Sequence, residues 1–166
     1  MVTTPVDGLA MEPPTVHSGI DDRPWVGREP GNQVRLLQVD LAQGVWTLQS
    51  RFEPGIVVQT HKHTGHVHAF TQSGSWHYRE SPEQVSTAGS YLFEPAGSVH
   101  TLVVPEDNDE PTDIWFTIQG ANLNLDADGN VELVIDAAFI LTFYAALCEQ
   151  QHGLVDPPVV RVGVTS

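Results

Sequence analysis

Short apolar runs separated by turn-forming residues dominate the middle of the chain. These runs recur at intervals of about ten residues, and glycine, proline, asparagine or aspartate lies between them. Many short strands at this spacing are typical of an antiparallel sandwich or barrel. The predicted strands are 34–41, 45–52, 56–63, 67–72, 75–80, 90–93, 99–104 and 113–119.

The period of the apolar positions changes near the C-terminus. A further hairpin is predicted from strands at 122–125 and 131–135, which flank an Asp-Gly turn. After it, apolar residues fall at i, i+3, i+4 and i+7, and this spacing predicts an amphipathic helix over 136–152. Asp136 is the expected N-cap, and Gly153 stands just past the predicted end. The residues of the predicted apolar face are Ile140, Phe143, Tyr144 and Leu147.

The N-terminal region lacks this regular pattern. Residues 1–30 hold several prolines and no apolar period, so they are predicted to form an irregular arm that packs on the barrel through Trp25. A single main domain is expected to span 31–154, including the helix, with a tail at 155–166. The fold class that follows is all-β with one C-terminal α-helix.

Composition and charge exclude several classes of function. The chain has 166 residues, of which 40% are hydrophobic, so it is long enough for one domain with a real core. Its net charge of −14 argues against nucleic-acid binding and against anionic membranes, because both need clustered lysine and arginine. Cys148 is the single cysteine, which excludes an internal disulfide and a cysteine-rich zinc module. Without a signal peptide or an apolar run near the roughly 18 residues of a membrane span, a cytoplasmic location is expected.

Histidines are concentrated in one part of the sequence. Five of the eight lie between positions 61 and 77. His61 and His63 flank Lys62 in a strand-like stretch, so both imidazoles leave the same face of the strand. If that face is the barrel interior, the two rings form a pair of neutral nitrogen ligands. Imidazole suits zinc, copper, iron and nickel, so the pair alone does not choose the metal.

A second histidine pair follows at the opposite parity. His66 and His68 come after Gly65, which permits a bulge that resets the inward face, so one of them can also point inward. A lone histidine is more often a hydrogen-bonded core or surface residue than a ligand. Downstream, Pro95 and Gly97 fix a turn before His100, which is the candidate third ligand on a neighbouring strand.

Two segments, one after the other along the chain, combine these histidines with glycine and proline at fixed spacing. They are Gly55-x5-His61-x-His63-x4-His68-x5-Gly74 and Gly89-x5-Pro95-x-Gly97-x2-His100. The segments resemble the two motifs of the cupin superfamily, which implies a cupin fold, a double-stranded β-helix with a jelly-roll-like barrel. His68 stands where the first motif usually has a glutamate ligand. That exchange implies a centre of neutral imidazoles, in which His68 is either a fourth ligand or a residue that contacts one of the ligands (the second shell of the metal).

A narrower resemblance joins the segments between His61 and His100. The sequence His-x-His-Thr-Gly-x-Val-His-Ala-Phe-Thr, then Gly-Ser-Trp-x-Tyr-x-Glu80, resembles the 2,4′-dihydroxyacetophenone dioxygenases and, more distantly, the acetylacetone-cleaving cupin dioxygenases. The resemblance implies iron(II) held by His61, His63 and His100, with Glu80 as a carboxylate near the metal. Zinc, nickel, manganese and copper remain open as alternatives.

The strand before Glu80 provides candidate substrate contacts. Trp76, Tyr78 and Glu80 share one parity. If that face is inward, Trp76 and Tyr78 line an aromatic pocket, and Glu80 is a buried acid that ligates the metal or acts as a base. If it is outward, Glu80 is a solvated strand end. Phe70 is a further candidate substrate contact, although a core role is the simpler one, and Glu94 is expected to be a turn or structural residue.

Three functions are compatible with these residues. The favoured one is a non-haem iron(II) dioxygenase that uses O₂ to cleave the C–C bond beside the ketone of an aryl hydroxyketone or a diketone. The alternatives are a zinc-binding sensor cupin without turnover, similar to those appended to anti-sigma factors, and a non-oxidative cupin isomerase or lyase. The expected partners are a small ketone and O₂, and a homodimer is reasonable because cupins often pair through their sheets.

Overall fold

Antiparallel strands dominate the chain, as the apolar pattern predicts. The structure is a computed structural model that describes residues 15–19 and 21–163. The strands are β1 Val26–Gly27, β2 Asn32–Asp40, β3 Val45–Phe52, β4 His61–His63, β5 Val67–Thr71, β6 Ser75–Tyr78, β7 Ser81–Thr87, β8 Tyr91–Glu94, β9 Val99–His100, β10 Leu102–Val103, β11 Thr112–Gln119, β12 Asn122–Leu125, β13 Val131–Ile135 and β14 Val160–Val162. One helix, α1, spans Ala137–His152.

The largest sheet has seven strands. Six of them follow the order β1-β2-β3-β11-β5-β8, and β14 pairs with β2 in parallel. Strand β3 shows the alternation most clearly, because Trp46, Leu48, Ser50 and Phe52 are buried while the residues between them are half-buried. The inner face of this sheet therefore forms one wall of the core.

Two smaller sheets form the opposite layer. Their strand orders are β10-β6-β7 and β13-β12-β4-β9. Trp76 of β6 and Leu102 of β10 pack in one cluster with Phe52 and Ile114 of the large sheet. The predicted all-β architecture with one C-terminal helix is thereby confirmed.

The predicted strand at 99–104 is divided between the two smaller sheets. Strand β9 pairs with β4, whereas β10 pairs with β6, so the chain changes sheet at Thr101. The predicted strand at 56–63 is shorter in the structure, where only His61–His63 forms a ladder. Strand β7 was not predicted, because its residues are mostly polar and exposed and give no apolar alternation. These differences arise from pairing between distant segments, which local periodicity does not encode.

The helix closes one end of the sandwich. Asp136 Oδ1 accepts a hydrogen bond from the Phe139 N–H, and Gly153 ends the helix in the left-handed region, as predicted. The buried face differs from the predicted one, because Phe143 is exposed and stacks on Phe139. Ile140 and Tyr144 are buried as predicted, Leu147 is half-buried against the same core, and Ala137 and Cys148 are buried in addition. The face that meets the large sheet is thus turned slightly away from Phe143.

The N-terminal arm contacts the large sheet through Trp25. The guanidinium carbons of Arg35 and Arg51 lie 4.5 and 4.4 Å from the Trp25 ring centroid, a cation–π arrangement. Much of the predicted arm, residues 1–14 and Ile20, lies outside the described residues. The division into arm 1–30, domain 31–154 and tail 155–166 stays a prediction. Among the described residues, no helix is both long and apolar enough to span a membrane.

Candidate metal centre

Three buried histidines meet inside the sandwich. His61 and His63 both point inward from β4, with Lys62 exposed between them. His100 on β9 is the direct cross-strand partner of His61. The ring centroids of the three histidines lie 4.8 to 5.2 Å apart. The structure therefore brings together the three residues that the sequence proposed as ligands.

The Pro-Ala-Gly turn holds His100 against His63. The Gly97 N–H donates to the His63 carbonyl at 2.8 Å, and the His63 N–H donates to the Ser98 carbonyl at 3.0 Å. Gly97 has φ of 88°, a left-handed conformation that favours glycine. Because the backbone of the turn is bonded to the backbone of β4, the relative position of the two imidazoles is set by main-chain geometry.

A buried carboxylate contacts two of the three rings. Glu94 is 3% exposed, and its Oε2 lies 3.0 Å from His63 Nε2 and 3.1 Å from His100 Nε2. Burial alone would raise the pKa of the Glu94 carboxyl, but His100 and His63 beside it hold that pKa well below its usual range. Glu94 is therefore an ionised carboxylate beside the three histidines, and the purely imidazole centre stays a prediction.

The polar atoms of this cluster fit a bound cation. Glu94 Oε2 and His100 Nε2 are buried, and despite their short separation neither makes a hydrogen bond of normal geometry among the described residues. Buried polar atoms that converge without hydrogen bonds are costly unless an ion or a ligand satisfies them. Three imidazoles and one carboxylate are a donor set that suits iron, zinc, manganese or nickel in the divalent state. The residues present thus fit a divalent transition metal.

The protonation state of His61 also favours metal binding. Its Nδ1 lies 2.8 Å from the Gln59 carbonyl oxygen, which can only accept, so Nδ1 carries the proton and Nε2 keeps its lone pair. Burial lowers the pKa of His61 to about 4. The ring is therefore neutral at physiological pH, which is the form that ligates a metal.

Tyr78 forms one wall of the centre. Its ring stacks on His100, with centroids 3.9 Å apart and planes 11° from parallel. Its hydroxyl donates a short hydrogen bond to Glu94 Oε1. Burial, together with the Glu94 charge, raises the pKa of Tyr78 well above its usual value, so the hydroxyl remains a donor. Tyr78 thereby fixes both the His100 ring and the Glu94 carboxylate.

A cavity of about 190 Å³ opens beside the centre. Its walls are largely apolar and come from β3, β11 and the helix, while His61, His63 and Glu94 contribute polar atoms. No lysine or arginine is among the described residues that line it. The apolar lining includes Trp46, Leu48, Phe52, Phe116, Ile118 and Ile140. Such a cavity suits a small molecule with an apolar body.

Several predicted site residues lie elsewhere. His68 faces the outside of the large sheet, where its Nδ1 lies 2.8 Å from the Tyr91 hydroxyl, so its assignment as a fourth ligand or as a residue that contacts a ligand is wrong. Phe70 is 50% exposed on the same outer face and cannot contact a substrate in the cavity. Glu80 is exposed at the strand end, where it accepts a hydrogen bond from the Thr101 N–H, which is the outward alternative.

Trp76 and Tyr78 point inward, but only Tyr78 reaches the cavity. Trp76 is fully buried, and its Nε1–H donates to Thr71 Oγ1 at 2.8 Å. It therefore supports the site from the core rather than lining it. The predicted inward face of this strand therefore includes Trp76 and Tyr78 but not Glu80, because β6 ends at Tyr78.

Sequence reasoning missed the role of Glu94 and of two asparagines on β12. Glu94 is predicted to be a turn or structural residue because Pro95 follows it, although its parity with half-buried Leu92 is a signal for an inward side chain. Asn122 and Asn124 are the cross-strand partners of His63 and His61, and both line the cavity. No local pattern marked them, because their position depends on the pairing of β12 with β4.

The sandwich of short sheets and the inward histidines define this protein as a cupin. The family model of the ChrR cupin-like domain matches residues 14–121, and the chain belongs to this family. No curated protein matches the chain in sequence.

Solved structures of other cupins are similar over most of the chain. A protein of unknown function with a cupin-like fold from Ralstonia eutropha JMP134 is 35% identical, with a TM-score of 0.75, and the match covers 82% of this chain and 83% of that one. An RmlC-like cupin from the same organism is 25% identical, with a TM-score of 0.81 over 91% and 96% of the two chains. An acetylacetone dioxygenase from Acinetobacter johnsonii is 21% identical, with a TM-score of 0.70 over 89% and 99%, and it shares the fold.

Proposed function

We propose that this protein is a non-haem iron(II) dioxygenase that cleaves the C–C bond beside the ketone of a small aryl hydroxyketone or diketone. The observation that carries the proposal is the convergence of His61, His63 and His100 beside an apolar cavity, with the Glu94 carboxylate in contact with His63 and His100. Zinc, nickel, manganese and copper suit the same donors, so iron rests on the likeness to ketone-cleaving cupins.

The cavity favours a neutral ketone over a sugar or a carboxylate. Its described lining holds no cationic side chain that would bind an anionic group, and its aromatic wall includes Trp46, Phe52 and Phe116. These rings would pack on the body of the substrate and exclude water from the reacting end. The polar end of the ketone would then lie toward the histidines.

Glu94 is the anionic group of the site. It is ionised, and Tyr78 holds it in place through the hydrogen bond to Oε1. Because its pKa lies well below the usual range, Glu94 is a weak base, and its Oε2 would help the histidines to hold the metal rather than take a proton from the substrate. The bound metal would supply Lewis acidity and a site for the reaction with O₂. For a hydroxyketone, the two atoms of O₂ enter the two acid products, one in each acid, so no additional reductant is required.

Anaerobic loading with iron tests this proposal. The purified protein is reconstituted with iron(II), and O₂ uptake is measured against a panel of aryl hydroxyketones and diketones. We expect uptake with at least one ketone, with cleavage products in equal amounts to the O₂ consumed. His100→Ala should abolish uptake, whereas His17→Ala, at an exposed position, should leave it unchanged.

A regulatory role is the second candidate. It is favoured by the family match, because that family is named for the ChrR cupin-like domain. In this case the same histidines would hold zinc without turnover. Tight zinc binding together with no O₂ uptake from any ketone in the panel would replace the dioxygenase proposal by this one.

A further inference from the structure

Two asparagines face the candidate ligands from the neighbouring strand. In the β12–β4 ladder, Asn122 is directly opposite His63, and Asn124 is directly opposite His61. Residues opposite each other in an antiparallel pair project to the same face of the sheet. The two amides therefore share the inner face with the two imidazoles.

A chain of hydrogen bonds fixes the orientation of these amides. Gln59 Nε2 donates to the Leu125 carbonyl at 2.9 Å and to the Glu132 carboxylate, and both partners can only accept. The other end of the Gln59 amide, Oε1, must then accept, and it does so from Asn124 Nδ2 at 3.2 Å. Asn124 Oδ1 in turn accepts from Asn122 Nδ2 at 3.3 Å.

The free end of this chain is an acceptor. Because every preceding amide is oriented by its neighbour, the remaining atom of Asn122 is its oxygen rather than its nitrogen. Asn122 Oδ1 is buried and has no hydrogen-bond partner among the described residues. A buried acceptor of this kind requires a donor.

The residue opposite it has a free nitrogen. His63 Nδ1 is also buried and makes no hydrogen bond in the described part of the chain. His61 differs, since its Nδ1 already donates to the Gln59 carbonyl. A histidine that binds a metal through one nitrogen usually donates the other N–H to a fixed acceptor, which sets its tautomer and orientation.

We propose that Asn122 is the positioning residue for His63. When a metal is held by His63 Nε2, the Nδ1–H would donate to Asn122 Oδ1, which satisfies both free atoms. Gln59 would then orient two ligands, His61 through its carbonyl oxygen and His63 through Asn124 and Asn122. This inference rests on the metal site of the proposed function but not on its dioxygenase activity.

Metal affinity measured by competition with a chelator tests the proposal. Zinc and cobalt(II) are titrated into the metal-free wild type and variants, and thermal unfolding of each metal-free protein is recorded alongside. We expect Asn122→Leu to weaken binding about 10- to 100-fold. Asn122→Asp keeps an acceptor of the same shape, so it should bind within about threefold of the wild type or more tightly.

Two further variants complete the design. Gln59 is exposed, so Gln59→Ala should fold normally, and it should weaken binding about threefold because the amides lose their orientation. Asn130→Ala alters the exposed turn of the same hairpin and should leave affinity unchanged.

The outcomes separate this inference from the proposed function. If the wild type binds zinc or cobalt and both Asn122→Leu and Gln59→Ala bind equally well, the positioning role is wrong and the metal site stands. Equal weakening in Asn122→Leu and Asn122→Asp would also overturn it, since an acceptor would then not suffice. If the wild type binds neither metal, both the metal site and the positioning role fall.

Discussion

Two His-x-His pairs, separated by only two residues, have opposite environments in this protein. His61 and His63 on β4 are buried beside the cavity, whereas His66 and His68 flank buried Val67 on the outer face of the large sheet. The rings of the outer pair are 5.2 Å apart, a spacing also found in the inner cluster. Ring spacing alone therefore does not define the site, and what distinguishes the inner pair is a third histidine and a carboxylate.

The change occurs where the chain passes from one sheet to another. The Thr64 N–H donates to the Ala121 carbonyl beside β12, while the Gln119 N–H of β11 donates to the His66 carbonyl. Each sheet sets its own inward face, so the parity of β4 does not continue into β5. Gly65 at the crossing permits this, because a Cβ there would lie 2.3 Å from the Gln119 carbonyl oxygen.

The largest expected difference between the two pairs is in metal binding. His61→Ala should lose stoichiometric metal, since it removes one of three imidazole ligands. His68→Ala should retain about one equivalent of metal per chain, because the outer pair has no further ligands beside it and is not expected to bind the metal. Metal content after dialysis, measured by elemental analysis, checks both variants. Metal retained by His61→Ala would contradict the proposal that the inner pair, and not the outer pair, binds the metal.

The Glu94 carboxylate is the second feature that the outer pair lacks. Glu94→Gln keeps the shape of the side chain but removes its charge, so metal affinity should fall about 10- to 100-fold. Glu80→Gln, at an exposed strand end, is the matched control and should change affinity less than about threefold. Chelator competition measures both. An equal effect of the two substitutions would mean that the buried carboxylate has no special role.

The acid stability of the metal-free protein should depend on the inner pair. The pKa of His61 is lowered to about 4 in the folded state, so the unfolded chain takes up its proton more readily. The free energy of unfolding should therefore decrease as the pH falls from about 6.5 toward 4, by on the order of 3 kcal/mol.

Urea unfolding in the presence of a chelator, repeated across this pH range, measures that decrease. His61→Gln should show a flatter dependence, and His68→Gln should follow the wild type. A His61→Gln profile that runs parallel to the wild type would show that the loss of stability has another origin.

Gly65, where the chain passes from one sheet to another between the two histidine pairs, should tolerate no side chain. Gly65→Ala places a methyl group against the Gln119 backbone, so the free energy of unfolding should fall by at least about 2 kcal/mol. Gly129→Ala, in the hairpin turn, has open space but a left-handed φ of 83° and should cost only about 1 kcal/mol. Chemical denaturation of the two variants gives the comparison, and equal losses would contradict the close-approach argument.

The smallest expected effect concerns the outer pair itself. Tyr91→Phe removes the hydroxyl that is hydrogen-bonded to His68, on a partly exposed surface. The free energy of unfolding should change by less than about 1 kcal/mol, with metal content unchanged. A larger loss of metal in this variant would assign the outer face a role in the centre.

Much of the site was predictable because it is encoded locally. The alternation of His61 and His63 and the turn before His100 depend on neighbouring residues, and so do the Asp136 cap and the Gly153 end of the helix. The all-β class followed from the spacing of apolar runs. These predictions are correct because each feature depends only on residues close to it in the sequence.

The remaining features depend on pairing between distant strands. Glu94 reaches the centre because β8 pairs with β5, and Asn122 faces His63 because β12 pairs with β4. The cupin motif predicts His68 near the metal. In the structure His68 lies on the outer face of the large sheet, because the chain passes from one sheet to another at Gly65. Local periodicity cannot report which sheet a strand joins, and this is why these three residues were misjudged or missed.

The most direct test of the metal centre is anomalous X-ray diffraction from crystals of the iron-loaded protein, recorded above and below the iron absorption edge. One anomalous peak is expected among the Nε2 atoms of His61, His63 and His100, within reach of Glu94 Oε2. No peak is expected near His66 and His68. A peak at the outer pair, or none at the inner histidines in protein that retains iron, would contradict the assignment of the centre.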